Sequence, residues 1–268
     1  MKLSFIGGGV MGEAMIRAIT KHNVGPEAIQ VGEINPERAR FLSERYGVRC
    51  FSDNREAIKG SDVVVLSIKP SALPQVAQQI RGGLEPGQLL LSIITGTSLQ
   101  RLRQGTQHSA IVRAMPNTPA QIGEGMILWT ATTSVAKQQK AIARAILATL
   151  GKEIYVEDEK YLDMATALSG SGPAYVFLFI EALIDAGVCL GLPREMAQEL
   201  VLQTIYGAVC LCRDSQKHPA ELRNMVTSPG GTTAAALLRL EEGGLRGILA
   251  QAVIAAYQRA KTLGREEI

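Results

Sequence analysis

Through the first 157 residues the chain takes short apolar runs in turn with longer amphipathic stretches, and after them the short runs stop. The runs are KLSFI (2–6), AIQVGE (28–33), DVVVLSIKP (62–70), LLLSIITG (89–96), AIVRAMPNTP (110–119), GMILWTAT (125–132) and KEIYV (152–156). A strand with one wet face alternates apolar and polar residues, so the unbroken runs at 62–70 and 89–96 predict strands covered on both faces. Helix periodicity appears in GGGVMGEAMIRAI (7–19), with Met11, Met15, Ile16 and Ile19 on one side, and in SVAKQQKAIARAILATLG (134–151). Strands taken in turn with helices predict a parallel or mostly parallel sheet, so residues 1–157 read as an α/β, Rossmann-like domain.

From 158 to 268 only helix signals remain, which predicts an all-α C-terminal domain. EDEKYLDMATALSG (157–170) ends at glycine, and the next helix carries Pro173 in its first turn and stops at Gly191. A third helix opens near Pro193, HPAELRNMV (218–226) is a short fourth, and two more follow from Thr232 and Leu245. The helix from Ala174 to Leu190 is apolar on nearly every side for two turns and must be buried all round. A domain of ~110 residues hides such a helix poorly by itself, which predicts a homo-oligomer joined through these helices. The segment AYVFLFIEALIDAGVCLGL (174–192) also has roughly the length of a membrane span. Glu181 and Asp185 stand in its middle, where a charge costs about 2.5–3.5 kcal/mol, so it reads as a buried helix of a soluble protein.

Candidate chemistry starts at Gly7-x-Gly9-x-x-Gly12, which closes the first strand and opens the first helix. Gly7 permits the tight turn, Gly9 lets the backbone approach a pyrophosphate, and Gly12 lets helix and strand pack closely. The helix N-terminus then points free N–H groups at the anion, and residues 1–157 become a dinucleotide-binding domain. Glu33 ends the second strand about 20 residues on, where a carboxylate is expected to accept from an adenosine ribose. It would repel a 2′-phosphate, which favours NAD, whereas Asn35, Arg38 and Arg40 could hold one, unless the arginines are a solvated helix face. Ligands of such sheets bind beyond the carboxyl ends of the strands. That rule gathers Lys69-Pro70, Thr95-Gly96-Thr97 and Met115-Pro116-Asn117 around one crevice, although turn chemistry alone would explain each Pro and Gly.

Net charge is +3, from 28 basic and 25 acidic residues, with no basic run, which speaks against a nucleic-acid partner. Cys50, Cys189, Cys210 and Cys212 have neither disulfide-like nor metal-like spacing and fit a reduced, cytoplasmic protein. MKLSFIGGG does not read as a signal peptide. His22, His108 and His218 are scattered, and no nucleophile elbow or metal-ligand cluster appears, so metal is not expected. Such a sequence suits redox chemistry in which the cofactor does the hard step and the protein orients the substrate. The loop TSPGGTT (227–233) has more breakers than a connection needs. Before a helix it offers free N–H groups, glycines that admit a ligand, and the hydroxyls of Ser228, Thr232 and Thr233. That fits a small carboxylate with a nearby nitrogen; the plain alternative is a helix cap with Thr232 as N-cap.

At these residues the sequence resembles the pyrroline-5-carboxylate reductase family, along essentially the whole chain. The resemblance rests on FIGGGVMGEAM, SIKP, RAMPNTP, ALSGSGPAYVFLFIEAL, GLPREMA and TSPGGTT. It implies reduction of 1-pyrroline-5-carboxylate to L-proline with NADPH or NADH, the last step of proline biosynthesis. It also implies a domain at 158–268 that binds substrate and interlocks a homodimer, alone or within a larger ring of dimers. Carried over by motif, Ile6 and the loop Gly7, Gly8, Gly9, Val10, Met11 and Gly12 would hold the dinucleotide, with Asn35 at the adenosine phosphate and Asn54 at the adenine ribose. Ile68, Lys69 and Pro70 would line the cofactor crevice with Thr95, Gly96 and Asn117, Lys69 also reaching the substrate. Ser228, Gly230, Gly231 and the N–H groups of Thr232 and Thr233 would receive the substrate carboxylate, and the Thr233 hydroxyl would meet the ring nitrogen as the catalytic group. Two departures stand out: many members have an arginine where this chain has Ile34 beside Glu33, which weakens the case for NADPH, and Thr95 replaces a common alanine. Three rivals remain: a β-hydroxyacid dehydrogenase, which would need a lysine that the helix 174–190 lacks; a dinucleotide-binding regulatory paralogue; and a reductase of a related cyclic imino acid.

Overall fold

The computed structural model describes residues 1–22 and 24–265. The chain forms two compact units, one running to Ser171 and taking in the last helix from Ala256, the other Gly172–Ala255. Among the described residues the first holds eight strands: β1 (Leu3–Ile6), β2 (Ile29–Gly32), β3 (Arg49–Phe51), β4 (Val63–Leu66), β5 (Leu89–Ser92), β6 (Ile111–Met115), β7 (Gly125–Ala131) and β8 (Gly151–Tyr155). They form one sheet in the order β3-β2-β1-β4-β5-β6-β7-β8, parallel everywhere except between β6 and β7. The mostly parallel α/β reading is borne out. One strand escaped the pattern: β3 is three residues long, too short for periodicity to show.

The apolar runs behave as expected of strands covered on both faces. Leu3, Phe5, Val63, Val65, Leu89 and Leu91 face one core with α1 (Val10–Lys21), α2 (Pro36–Tyr46) and α6 (Lys137–Ala148). Their neighbours Ile6, Val64, Leu66 and Leu90 face the other core with α3 (Asn54–Ala57), α4 (Leu73–Ile80) and α5 (Leu99–Thr106). The chain leaves β1 for β2 and β3 and then crosses back to β4, so a topological switch lies between the carboxyl ends of β1 and β4. A crevice opens where such a sheet reverses its winding.

Beyond β8 comes α7 (Lys160–Ala165), which continues as a π-turn over Thr166–Gly170. Arg113 on β6, 4% exposed, holds this segment through Glu159 at 2.7 Å and Asp163 at 2.9 Å. The second unit consists of α8 (Gly172–Cys189), α9 (Arg194–Ser215), α10 (Pro219–Met225), α11 (Thr232–Glu242) and the first half of α12 (Leu245–Arg265). As the sequence suggests for a domain of this size, α8 is not buried by its own chain. Phe177 is 60% and Leu178 67% exposed, and within α8 only Pro173 and Ile184 are buried. Too few apolar residues of this unit face one another to make a core. Among the described residues one helical run, Lys160–Cys189, is long and apolar enough to cross a membrane by length and composition.

Candidate active site

The glycine loop follows β1 directly. Gly7 adopts φ +95°, and a Cβ there would meet Ile68 Cγ2 and the Ser67 carbonyl, each at 2.8 Å. A Cβ on Gly12 would press on the Gly7 carbonyl at 2.5 Å, whereas one on Gly9 would meet nothing within 4 Å. The three glycines thus serve turn, packing and open approach, in the roles the spacing predicts. Ser67 ties the loop to β4 by donating its hydroxyl to the Gly7 carbonyl at 2.7 Å. Gly9 is the N-cap of α1, and no side chain caps it, so the first-turn N–H groups keep their capacity for an anion.

Around this loop lies a cleft of about 370 Å³. It brings together Ile6, Gly7, Gly9, Glu33, Asn54, Ile68 and Lys69 from the ends of β1, β2 and β4 and from α3. Asn54 is buried and donates its amide to Gln79 Oε1 at 2.7 Å. Other expected residues do not line this cleft. Gly8 and Gly12 pack inside the loop, Val10 and Met11 open α1, and Pro70 opens a 3₁₀ turn over Pro70–Ala72. Asn35 turns its side chain onto α2, where Oδ1 accepts the N–H groups of Glu37 at 3.0 Å and Arg38 at 3.1 Å. Thr95, beyond β5, reaches Met115 Sδ at the end of β6 at 3.9 Å, and Gly96 takes φ +71°. Asn117 spends its amide on structure, accepting from Met126 N–H at 2.9 Å and donating to the Ser169 carbonyl of the π-turn at 3.0 Å.

Sequence reasoning missed the α4 wall of the cleft, Gln75, Val76 and Gln79, and Ser71 before it. The signal was faint: Gln75 and Gln79 stand four apart, next to the buried stripe of Leu73, Val76, Ala77 and Ile80. Beneath the loop, Glu13 receives the Tyr46 hydroxyl at 2.6 Å and pairs with Arg38. Burial raises the Glu13 carboxyl, but the hydrogen bonds of Tyr46 and Arg38 and the charge of Arg38 outweigh it and hold it below the usual range. Burial, then the charge of Glu33, pushes the Cys50 thiol up, which leaves it protonated and unreactive.

In the second unit the TSPGGTT loop joins α10 to α11. The N-cap of α11 is Gly231, not Thr232, and no side chain caps it; Thr232 is the first helical residue. The capping role is corrected because Gly230 at φ +70° turns the chain one residue earlier, and Gly231 N–H closes the turn on the Ser228 carbonyl at 3.1 Å. A Cβ on Gly231 would collide with Ser228 Oγ, so glycine is required to seat that hydroxyl. Among the described residues the hydroxyls of Ser228, Thr232 and Thr233 have no protein partner, while Thr227 is committed to the Arg223 carbonyl at 2.7 Å. An uncapped helix start with three hydroxyls beside it has the donors a carboxylate requires. The histidines are spent elsewhere: His22 Nδ1 meets the Ala18 carbonyl, His108 Nε2 the Gln88 carbonyl, and His218 Nδ1 accepts Ala220 N–H.

Comparison with known proteins covers both units. A family model described as pyrroline-5-carboxylate reductase dimerisation matches residues 159–263, and one described as NADP oxidoreductase, coenzyme F420-dependent, matches 2–96. A pyrroline-5-carboxylate reductase of Synechocystis sp. is 45% identical over 267 residues, 99% of either chain. A solved pyrroline-5-carboxylate reductase of Coxiella burnetii is 36% identical at TM-score 0.90, covering 99% of both chains. A pyrroline carboxylate reductase of Plasmodium falciparum, solved with NADP bound, is 35% identical at TM-score 0.90, covering 98% of both chains.

Proposed function

From a chain that belongs to the pyrroline-5-carboxylate reductase family, we infer an enzyme that reduces 1-pyrroline-5-carboxylate to L-proline with NADH or NADPH, the final step of proline biosynthesis. The observation that carries this reading is a pair of uncapped helix starts, α1 beside the glycine loop and α11 beside TSPGGTT, in a chain its relatives match from end to end. The first suits a pyrophosphate and the second a small carboxylate. Gly9 leaves open space where a dinucleotide backbone would lie, and Ile6, Gly7, Glu33, Asn54, Ile68 and Lys69 line the cleft around it, so these residues fit the cofactor. When bound, NAD(P)H supplies the hydride.

The protein's own part is placement. The N–H groups of Thr232 and Thr233 and the Ser228 hydroxyl receive the substrate carboxylate, with Gly230 and Gly231 admitting it against the backbone. The Thr233 hydroxyl orients the ring nitrogen and relays a proton from water. A protonated cyclic imine is already electrophilic at C5, so orientation supplies most of what remains. The three histidines are engaged in structure, which supports a reaction without an imidazole acid.

The functional division falls at 157/158, with residues 158–268 binding substrate and joining a homodimer, alone or in a larger ring of dimers. The dimerisation model's span and the exposed apolar face of α8 support it. Four free cysteines support a reduced, cytoplasmic setting. The test is an assay of the purified protein with 1-pyrroline-5-carboxylate and either dinucleotide, with the product identified. Saturable formation of L-proline is expected. Tight dinucleotide binding with no proline formed would reject the reductase in favour of a sensing module, and faster reduction of a larger cyclic imine would reassign the substrate.

A further inference from the structure

Which dinucleotide the cleft prefers is decided at the carboxyl end of β2, and this inference rests on the reductase reading. An arginine shortly after β2 is the residue expected to grip a 2′-phosphate. Arg38 has that position in the sequence and a different set of partners in the fold. Its Nε donates to the Gly8 carbonyl at 2.6 Å, and its Nη2 reaches the Gly9 carbonyl at 3.5 Å and pairs with Glu13. Its guanidinium also lies 5.0 Å from the centre of the Phe41 ring. In a trans peptide the N–H points opposite to the C=O. Holding the carbonyls of Gly8 and Gly9 on the Arg38 side therefore turns the N–H groups of Gly9 and Val10 away from it, as fixed donors at the start of α1.

Three further backbone donors at the start of α2 are spent as well, which leaves the Ile34 N–H and the Asn35 side-chain amide. Asn35 N–H donates to Glu33 Oε1 at 2.9 Å, Pro36 has none, and the N–H groups of Glu37 and Arg38 go to the Asn35 side chain. The helix start that could have bound a phosphate is closed by its own cap. Glu33 receives Gly8 N–H on Oε2 at 2.8 Å, which holds its carboxylate in the cleft wall. Glu37 adds a second acid in the first turn of α2. Of the remaining cations, Arg40 is 81% exposed and paired with Glu44, and Arg55 gives Nε to the Gln79 carbonyl. Lys69 follows β4, two strand spacings or about 9–10 Å from the end of β2.

We propose that this chain selects NADH over NADPH through Glu33 and the closed start of α2, and that Arg38 is a positioning residue that braces the glycine loop for either dinucleotide. A 2′-phosphate would meet a fixed carboxylate with the neighbouring Arg38 already engaged by the glycine loop and Glu13, whereas a 2′-hydroxyl has in Glu33 an acceptor for its proton. Calorimetric titration of NADH and NADPH without substrate reads the preference directly. The wild-type protein is expected to bind NADH about tenfold or more tightly than NADPH. Glu33→Gln should narrow that ratio severalfold, while Arg38→Leu should weaken both dinucleotides by a common factor and leave the ratio unchanged. Equal or tighter binding of NADPH by the wild type would overturn the proposal, as would a selective loss of NADPH in Arg38→Leu. The wild-type ratio stands as a test even if a variant fails to fold. A clear NADH preference in a protein that forms no proline would refute the reductase and leave this inference intact.

Discussion

At Gly231 a single hydrogen atom decides where the Ser228 hydroxyl sits. Gly231→Ala would drive a Cβ into Ser228 Oγ. Loss of one charge-assisted hydrogen bond predicts a rise of about 10- to 100-fold in KM for the imino acid with dinucleotide affinity unchanged, checked by kinetics and calorimetry. Glu13 gives a pH signature. Its carboxyl is held below the reference value of 4.5, so its contribution to stability is complete above that value and is lost as pH falls through the lower, folded one. The destabilisation caused by Glu13→Gln should therefore be full at about pH 6 and shrink below about pH 4, as read from urea midpoints. Of this scale the sequence revealed the residue types and not their allegiance. Arg38 could be seen beside β2, but that it serves the glycine loop rather than a phosphate depends on Glu13 and Tyr46, which only folding brings to it. Asn35 was legible as a polar residue at the right place, and its work as the cap of α2 has a local signal in Pro36 and in partners two and three residues on, which the expectation of a phosphate ligand passed over.

Among elements, the least self-sufficient is the segment from α7 through the π-turn to Gly170. It is pinned from outside, by Arg113 through Glu159 and Asp163 and by Asn117 through the Ser169 carbonyl. Glu159 also accepts Leu99 N–H at 2.7 Å, which joins the start of α5 to the same knot. Arg113→Met leaves two carboxylates without their cation. Because each is 29% exposed, the cost should lie near the low end for broken buried pairs, about 3 kcal/mol, measured by equilibrium unfolding. Long apolar strands were readable because burial on both faces marks every residue of the run. Strand β3 was not, since its three residues are defined by pairing with β2 rather than by a pattern of their own. The π-turn left no trace either: Thr166, Leu168 and Ser169 suit an ordinary helix, and the widened turn follows from where Asn117 and Arg113 hold its two ends.

For the whole molecule, the decisive quantity is the apolar surface that α8 and α9 leave uncovered. Phe177, Leu178 and Phe179 on α8 and Leu200, Tyr206 and Val209 on α9 are all exposed in the single chain. Phe177→Glu should shift the homodimer to monomer in analytical ultracentrifugation, with loss of proline formation; a variant that stays dimeric would move the interface elsewhere. The sequence foretold this surface from one helix that was apolar all round, because exposure can be inferred when a domain is too small to cover its own residues. The helical unit's lack of a core of its own also has a hereditary side. In the proposed homodimer each substitution on α8 arrives on both subunits at once, so its penalty falls on two copies of the face, and no change in an unrelated protein can compensate. Such a surface drifts slowly and by paired steps within one gene, and a newly duplicated copy goes on joining its parent until repulsive changes accumulate on both.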